Sequence, residues 1–495
     1  MKNILAFALL ASLAPWATAQ LLDESARIAR VEQGLLPPVV TDRTKPMRLA
    51  DRMRHYAVPA VSVAVVDGGR IVWAHAWGLA QVGQAEAVTT DTLFQAASIS
   101  KPVTALGAFK LMDQGKLTLD GDVNAVLKSW QVPPGAQTPE KPVTLRGLLG
   151  HTAGLTVSGF AGYRANAAVP TLQQILDGQL PANNPAVRVA KAPGGDFSYS
   201  GGGYVLLQLL MQDVTGEAFA TWMQREVLAP AGMAQSLFGA LPDAPLSRAA
   251  AGHQDGKPIP GLRATHPELA AAGLWTTPSE LARLSIALQR VLAGEMSGVV
   301  SPKNLAEAVS VKPDAMGLGI VVEGSVDHPR YGHDGGNAGF ESRWRFDRQR
   351  AVVVMANANG AMPLMNEIIR AVAADLGWTA LQARRFVPAE LRAALSKTPV
   401  FVRGTFNEWS TAVPLRRVAP GRFAADAALP AGPQRFKFAS ADWRTVDLGA
   451  AEEGTGRLSP GGRDVQFEVK QPGRWRFELD LRNAAEPRFS AKPLK

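Results

Sequence analysis

The chain contains no cysteine. That excludes disulfide staples, thiolate nucleophiles, cysteine-bound metal and a lipid-modified cysteine, so its domains must be held by their cores alone. Charge runs of one sign are also missing. Lys and Arg exceed Asp and Glu by 52 to 43, for a net charge of +9, but the cations are scattered rather than gathered into the patch or stripe of a nucleic-acid binder. The seven histidines show no metal-like spacing, so neither a metal site nor a cofactor is expected. Long apolar runs are absent too. The run Ile4 to Leu13 follows Met1-Lys2-Asn3 and precedes Ala17-Thr18-Ala19, which reads as a secretory signal peptide cut after Ala19 and predicts a periplasmic or secreted protein. No later stretch is long enough to span a bilayer, so no stable membrane anchor is expected.

What is present is an ordinary globular composition, 46% hydrophobic and 19% charged over 495 residues, enough for two or three domains with sizeable cores. Its most informative segment is Ser98-Ile99-Ser100-Lys101. The apolar rhythm Leu106, Phe109, Met112 and the stop at Gly115 predict a helix, and Pro102 confines these four residues to its start. The free N–H groups and positive dipole end of a helix N-terminus favour developing negative charge near Ser98. Lys101, three residues on, shares its face. A serine becomes a useful nucleophile only beside a base or cation, and no second Ser-x-x-Lys occurs in the chain.

Two glycine-rich segments accompany it. Phe197-Ser-Tyr-Ser-Gly-Gly-Gly-Tyr204 holds two of the five tyrosines, and Tyr331-Gly-His-Asp-Gly-Gly-Asn-Ala-Gly-Phe340 leads into the strand-like Ala351 to Met355. Glycine at this density lets backbone approach a ligand closely. With Leu148 to Leu155, Ala271 to Leu281 and Val58 to Val66 as framing, residues 45 to 380 resemble the serine β-lactamase and penicillin-binding-protein superfamily, specifically the class C β-lactamase-like serine hydrolases. The resemblance implies acyl-enzyme formation on Ser98, with Lys101 and Tyr199 in reach of its oxygen and Tyr199 as proton shuttle, its phenolate favoured by the lysine charge. It also implies an oxyanion hole from the backbone N–H groups of Ser98 and Gly336, and substrate binding by His333 and Gly335.

Two positions depart from that pattern. His333 stands where most β-lactamases place a lysine, and a histidine is charged only part of the time near neutral pH, so recognition of a substrate carboxylate weakens. Gly201 replaces the asparagine of Tyr-x-Asn. Both losses favour esters, amides or D-amino-acid peptides over β-lactams. A β-lactamase or D-Ala-D-Ala carboxypeptidase is the alternative within enzymes, and a non-turnover glycan-binding or β-lactam-sensing protein is the alternative outside them. His151 reads as structural, pinning a loop.

Strands at Val61 to Val66 and Ile71 to Trp77 form a hairpin through Asp67-Gly-Gly-Arg70. A helical region follows to about Val299, then strands at Met316 to Glu323 and Ser342 to Asn357, then a helix near Met365 to Leu376. This order predicts an α+β fold, an antiparallel sheet flanked by helices plus a helical subdomain, over residues 20–383. Residues 384–397 read as a linker or connecting helix. From 398 to 495 short alternating strands predict an all-β sandwich, with 16 Lys and Arg against 11 Asp and Glu, a basic surplus read as surface solubility. Gly404 to Trp409, Phe436 to Phe438 and Asp442-Trp443 resemble the family 48 glycogen-binding and pullulanase-associated modules. That resemblance implies glycan contact by Trp409, Lys437 and Trp443, while an asparagine loop near Gly461 to Val465 has no match, and a sandwich whose tryptophans seal its own core is the competing reading.

Overall fold

Strand Ala60–Asp67 (β1) is apolar on both faces, and its alternation feeds two cores. Val61, Val63 and Val65 enter one, and Ala60, Ala64 and Val66 the other. Arg350–Ala356 behaves the same way: Val352, Val354 and Ala356 join the first core, Ala351, Val353 and Met355 the second. A strand with this pattern belongs in the middle of a sheet covered on both sides. The computed structural model describes residues 23–494 apart from 41–43, 242, 297, 313, 386–387, 452–453 and 485. The expected signal peptide, residues 1–19, lies outside the described residues.

Those residues form two compact units, one reaching to Leu35 and resuming over Met47–Leu381, the other made of Leu36–Pro46 and Gln382–Lys495. In the first unit β1 pairs with Arg70–Gly78 (β2), and Gly68 and Gly69 take positive φ (59° and 74°) in the turn, as a two-residue hairpin requires. The sheet is completed by Ala315–Met316 (β3), Val321–Gly324 (β4), Pro329–Asn337 (β5), Phe340–Phe346 (β6) and Arg350–Ala356 (β7). Its order is β2-β1-β7-β6-β5-β4-β3, antiparallel throughout. Helices Leu49–His55 (α1) and Met362–Asp375 (α6) pack one face. The other face carries the larger core, with Ser100–Asp113 (α2), Gly201–Thr215 (α3), Leu269–Ala272 (α4) and Pro278–Leu292 (α5).

Two sequence signals divide. Ser342 to Asn357 is two strands, because the Asp347 carboxylate accepts from the Gln349 and Arg350 N–H groups (2.9 and 2.7 Å) and turns the chain. Met316 to Glu323 breaks at Gly319, whose positive φ brings it against α2, where an added Cβ would lie 2.4 Å from that of Ala105.

In the second unit, residues 384–397 are largely helix Pro388–Lys397 (α7), whose Leu391, Ala394 and Leu395 pack into that unit's own core, so the stretch is structural rather than a free tether. Strand Val400–Gly404 (β8) begins an all-β region that holds nine strands among the described residues. The others are Arg416–Ala419 (β9), Arg422–Leu429 (β10), Gly432–Ser440 (β11), Asp447–Ala450 (β12), Leu458–Pro460 (β13), Val465–Val469 (β14), Gly473–Asp480 (β15) and Arg488–Pro493 (β16). One sheet runs β8-β11-β12-β13 with β14 also on β11, the second β9-β10-β15-β16. Phe436, Phe438, Phe477 and Leu479 fill the core. The α+β fold followed by an all-β region is what the sequence predicts.

Candidate active site

Ser98 sits in a 3-10 turn, Ala97–Ile99, that runs directly into α2. The residue before it, Ala97, holds a left-handed φ of 50°, a conformation that costs a non-glycine residue about 1 kcal/mol or more and persists only when its surroundings enforce it. Strand β5 supplies that enforcement. A Cβ on Gly335 would lie 2.2 Å from the Ala96 carbonyl oxygen and 3.1 Å from the Ala97 Cβ, so only glycine lets the strand lie against the turn. Gly336, next along, faces open space. Ser98 itself is half-buried.

The Lys101 amine and the Ser98 hydroxyl are 3.2 Å apart. Lys101 also donates to the Ala271 carbonyl of α4 (2.8 Å), and its nitrogen lies 4.9 Å from the centre of the Tyr199 ring. Burial disfavours the ammonium and brings the Lys101 pKa down to about 7. The Tyr199 phenol is pushed up to about 12, because burial disfavours its anion more than its hydrogen bond to Ser98 favours it. Sequence reasoning expected phenolate character at Tyr199; in this pocket the group nearest neutrality is the amine.

Tyr199 is clamped from both sides in sequence. Ser198 N–H donates to the His151 carbonyl (2.8 Å), and Ser200 N–H donates to His151 Nδ1 (3.0 Å). The imidazole stacks on the phenol ring with centroids 4.3 Å apart. Burial, with the Lys101 and His333 charges behind it, holds His151 near a pKa of about 3, so it is neutral and suited to fixing a loop. The Ser200 hydroxyl accepts from Gly203 N–H (2.9 Å) and starts α3. At Gly201 a Cβ would meet Phe160 at 3.0 Å and the Ser158 carbonyl at 3.1 Å, which accounts for glycine there.

His333 lies buried on β5 with its ring 6.3 Å from that of Tyr199. Its Nδ1 contacts the Asp334 carbonyl, which can only accept, so Nδ1 carries the hydrogen and Nε2 keeps a lone pair with no protein partner. Burial, then the Lys101 charge, lowers His333 to about 4. It is a neutral acceptor near pH 7, not a part-time cation. Asp334 on the same strand is bound by Arg343 and Arg345 (2.5 and 2.7 Å).

Sequence reasoning missed the frame around these groups. Asn337 donates to the Gln95 side chain (2.7 Å) and to the Ala272 carbonyl (3.1 Å), and Gln95 donates to the Ala264 carbonyl (2.7 Å). This ties β5, the approach to Ser98 and α4 together. The signals were faint: Gln95 precedes Ser98 by three residues and Asn337 follows Gly336, while Ala271 acts through its backbone and leaves none.

In the second unit the Trp409 and Trp443 rings are 5.9 Å apart, both half-buried, with the Arg403 guanidinium 4.0 Å over Trp443. Lys437 lies across from Arg403 in register, but its ammonium is bound to Asp447 at 2.8 Å. Among the described residues no group of three or more His, Asp or Glu is placed to hold a metal ion, and no helix is long and apolar enough to cross a membrane.

The family model described as Beta-lactamase matches residues 48–376. Penicillin-binding protein 4* of Bacillus subtilis is 31% identical over 174 residues, 35% of this chain and 36% of that protein. Esterase EstB of Burkholderia gladioli is 31% identical over 237 residues, 45% of this chain and 58% of that one. D-aminopeptidase of Brucella canis is 25% identical over 331 residues, covering 63% and 60%. The chain thus spans between about a third and three fifths of these relatives' lengths. Among solved structures, the octameric penicillin-binding protein homologue of Pyrococcus abyssi is similar at a TM-score of 0.55 and 19% identity, covering 89% of this chain and 98% of that one. D-amino acid amidase of Ochrobactrum anthropi is similar at 0.55 and 22%, covering 67% and 97%. At these identities the structural likeness concerns the fold.

Proposed function

We propose a reaction from one premise: the chain belongs to the beta-lactamase family. The reaction is hydrolysis of a small ester, amide or D-amino-acid peptide through an acyl-enzyme on Ser98. The observation that carries it is the 3.2 Å contact between a half-exposed hydroxyl and a buried amine whose pKa lies near 7. A base with its pKa near the working pH combines a populated free form with a useful driving force for proton transfer.

Lys101 takes the Ser98 proton as Oγ forms a bond to the substrate carbonyl carbon, and the carbonyl oxygen becomes an oxyanion. The Ser98 and Gly336 N–H groups are the donors for that oxygen. Collapse breaks the bond to the leaving alcohol or amine, which receives the proton from Lys101 through the Tyr199 hydroxyl. Water then attacks the acyl carbon and gives a proton to the free Lys101 amine; the bond from that carbon to Ser98 Oγ breaks, Lys101 returns the proton to Oγ, and the carboxylic acid leaves. A Tyr199 that stays protonated serves as relay and hydrogen-bond donor, not as the primary base.

A neutral His333 offers no permanent cation to a substrate carboxylate, and this favours neutral esters and amides over β-lactams. Relatives named as an esterase and a D-aminopeptidase support that choice. The test is a parallel measurement of p-nitrophenyl butyrate, nitrocefin and D-Ala peptide turnover, with Ser98→Ala as control. Ester or D-peptide turnover that exceeds nitrocefin turnover and vanishes in Ser98→Ala is expected; faster nitrocefin cleavage contradicts the substrate reading, and unchanged activity in Ser98→Ala contradicts the nucleophile.

A second reading concerns the C-terminal unit, favoured by the half-exposed Trp409–Trp443 pair. Aromatic faces of this kind stack on sugar rings. With Lys437 engaged by Asp447, and Arg403 by the Trp409, Ser440 and Ala441 carbonyls, the tryptophan pair itself would carry glycan contact. The full-length protein is then retarded by amylose in affinity electrophoresis, and Trp443→Ala removes the retardation; equal mobility with and without amylose removes the reading. Export through the N-terminal segment is part of the same proposal.

A further inference from the structure

The core of the C-terminal unit is open at one end. There Leu395 of α7, Leu415, Phe423 of β10 and Leu481 form the apolar floor of a cavity of about 850 Å³, and the first three stay half-buried. That volume lies within the range of small-molecule sites, roughly 300–1,000 Å³. Backbone contacts fix the walls. Leu415 N–H donates to the Val400 carbonyl (2.8 Å), and Leu481 N–H donates to the Gly421 carbonyl (2.7 Å). Gly421 holds a φ of 72°, and a Cβ there would lie 3.1 Å from the Arg482 nitrogen, so glycine lets these segments meet. Arg392 of α7 donates to the Arg482 carbonyl (3.0 Å) and anchors the helix to that wall.

The rim carries one sign of charge. Arg392, Lys397, Arg417 and Arg482 line the cavity, all of them exposed, and among the described residues no Asp or Glu lines it. Arg482 is paired with Asp480 at 2.6 Å, whereas Lys397 and Arg417 have no carboxylate partner among the described residues. Lys397 ends α7, where the helix dipole favours a cation, and that alone accounts for it. Arg417 has no such reason. It stands directly across from Phe423 in the β9–β10 pairing, so its side chain and the aromatic ring share one face. Like charges gathered at an apolar surface are unfavourable without a counter-charge. Neither Trp409 nor Trp443 lines the cavity, which separates it from glycan contact.

We propose that this cavity binds a free amphiphilic anion, a long-chain carboxylate, with its alkyl chain on the Leu415, Phe423 and Leu481 floor and its carboxylate held by Lys397 and Arg417. The chain removes the floor from water, and the carboxylate accepts charge-assisted hydrogen bonds from the two unpaired cations. Other ligands match only part of the site. A neutral sugar brings no charge to the rim, and a short anion leaves the floor wet. A nucleic-acid strand needs a basic stripe rather than an apolar cavity.

Isothermal titration calorimetry of the full-length protein with dodecanoate, below its micelle concentration, tests the site. Saturable binding is expected, with acetate at least about a hundredfold weaker for want of a chain and dodecyltrimethylammonium silent for want of the right charge. Lys397→Ser/Arg417→Ser should weaken dodecanoate binding at least about tenfold. Its hydrolysis of p-nitrophenyl butyrate should stay unchanged, because both residues lie outside the unit that carries Ser98. Ser396→Trp, at an exposed position on the cavity wall, should block binding with all four cations intact. Circular dichroism confirms the fold of each variant. Absent dodecanoate binding overturns the proposal, as does acetate or the cationic amphiphile binding equally well. Equal affinity in the double variant places the ligand elsewhere, the Ser98 pocket included, and overturns it too. Co-sedimentation with phosphatidylglycerol vesicles gives the membrane arm: vesicle binding without dodecanoate binding assigns the rim to a lipid surface and refutes the free ligand.

Discussion

Ala97, Ser98 and Lys101 show how much of the chemistry is set by the environment of single side chains. The spacing of Ser98 and Lys101 was legible because a helix start puts i and i+3 on one side. Their protonation states were not, since these depend on burial by segments distant in sequence, among them those that carry Tyr199 and Ala271. The same holds for His333: the residue type suggested a partly charged group, and enclosure makes it a neutral acceptor. Activity should therefore rise with pH. Lys101 must lose its proton to act, so kcat/KM increases through a midpoint of about 7 and then levels. Tyr199, at about 12, and His333, at about 4, keep their neutral forms throughout that window. A pH-rate profile in a constant-ionic-strength buffer series checks this, and activity falling between pH 6 and 8 would contradict it. Tyr199→Phe should retain the fold by circular dichroism and lose roughly 10²–10⁴-fold in kcat, the usual range for a proton-transfer group.

At the scale of elements, the period-2 alternation and the Asp67-Gly-Gly-Arg70 turn made β1 and β2 readable, as their geometry confirms. The break between β6 and β7 was hidden because Asp347 turns the chain without glycine or proline. The closeness of β5 to the Ser98 turn left a trace only as glycine. Gly335→Ala measures that closeness. Its Cβ would collide with backbone at Ala96, so the strand must move away from the turn. A cost of about 1–3 kcal/mol is expected for overpacking, together with at least tenfold lower kcat, read by thermal unfolding and ester kinetics. Gly336→Ala, at open space, should cost far less stability and serves as the control.

For the molecule as a whole, composition shifts located the change from an α+β region to an all-β one. They did not show that Leu36–Pro46 groups with the C-terminal unit. There Val39–Val40 pairs in parallel with Arg384–Arg385, a long-range partnership of two short segments that no local pattern announces. The frame that joins Gln95, Asn337 and the α4 carbonyls has the same character: neutral amides drawn from distant stretches, invisible until the chain folds. All of it converges on one amine beside one hydroxyl. The rate of fluorophosphonate labelling, with the adduct mapped by peptide mass, tests that convergence most directly. The account predicts a single adduct on Ser98 in the wild type and labelling at least about a hundredfold slower in Lys101→Met; an adduct elsewhere, or an equal rate in Lys101→Met, would contradict it.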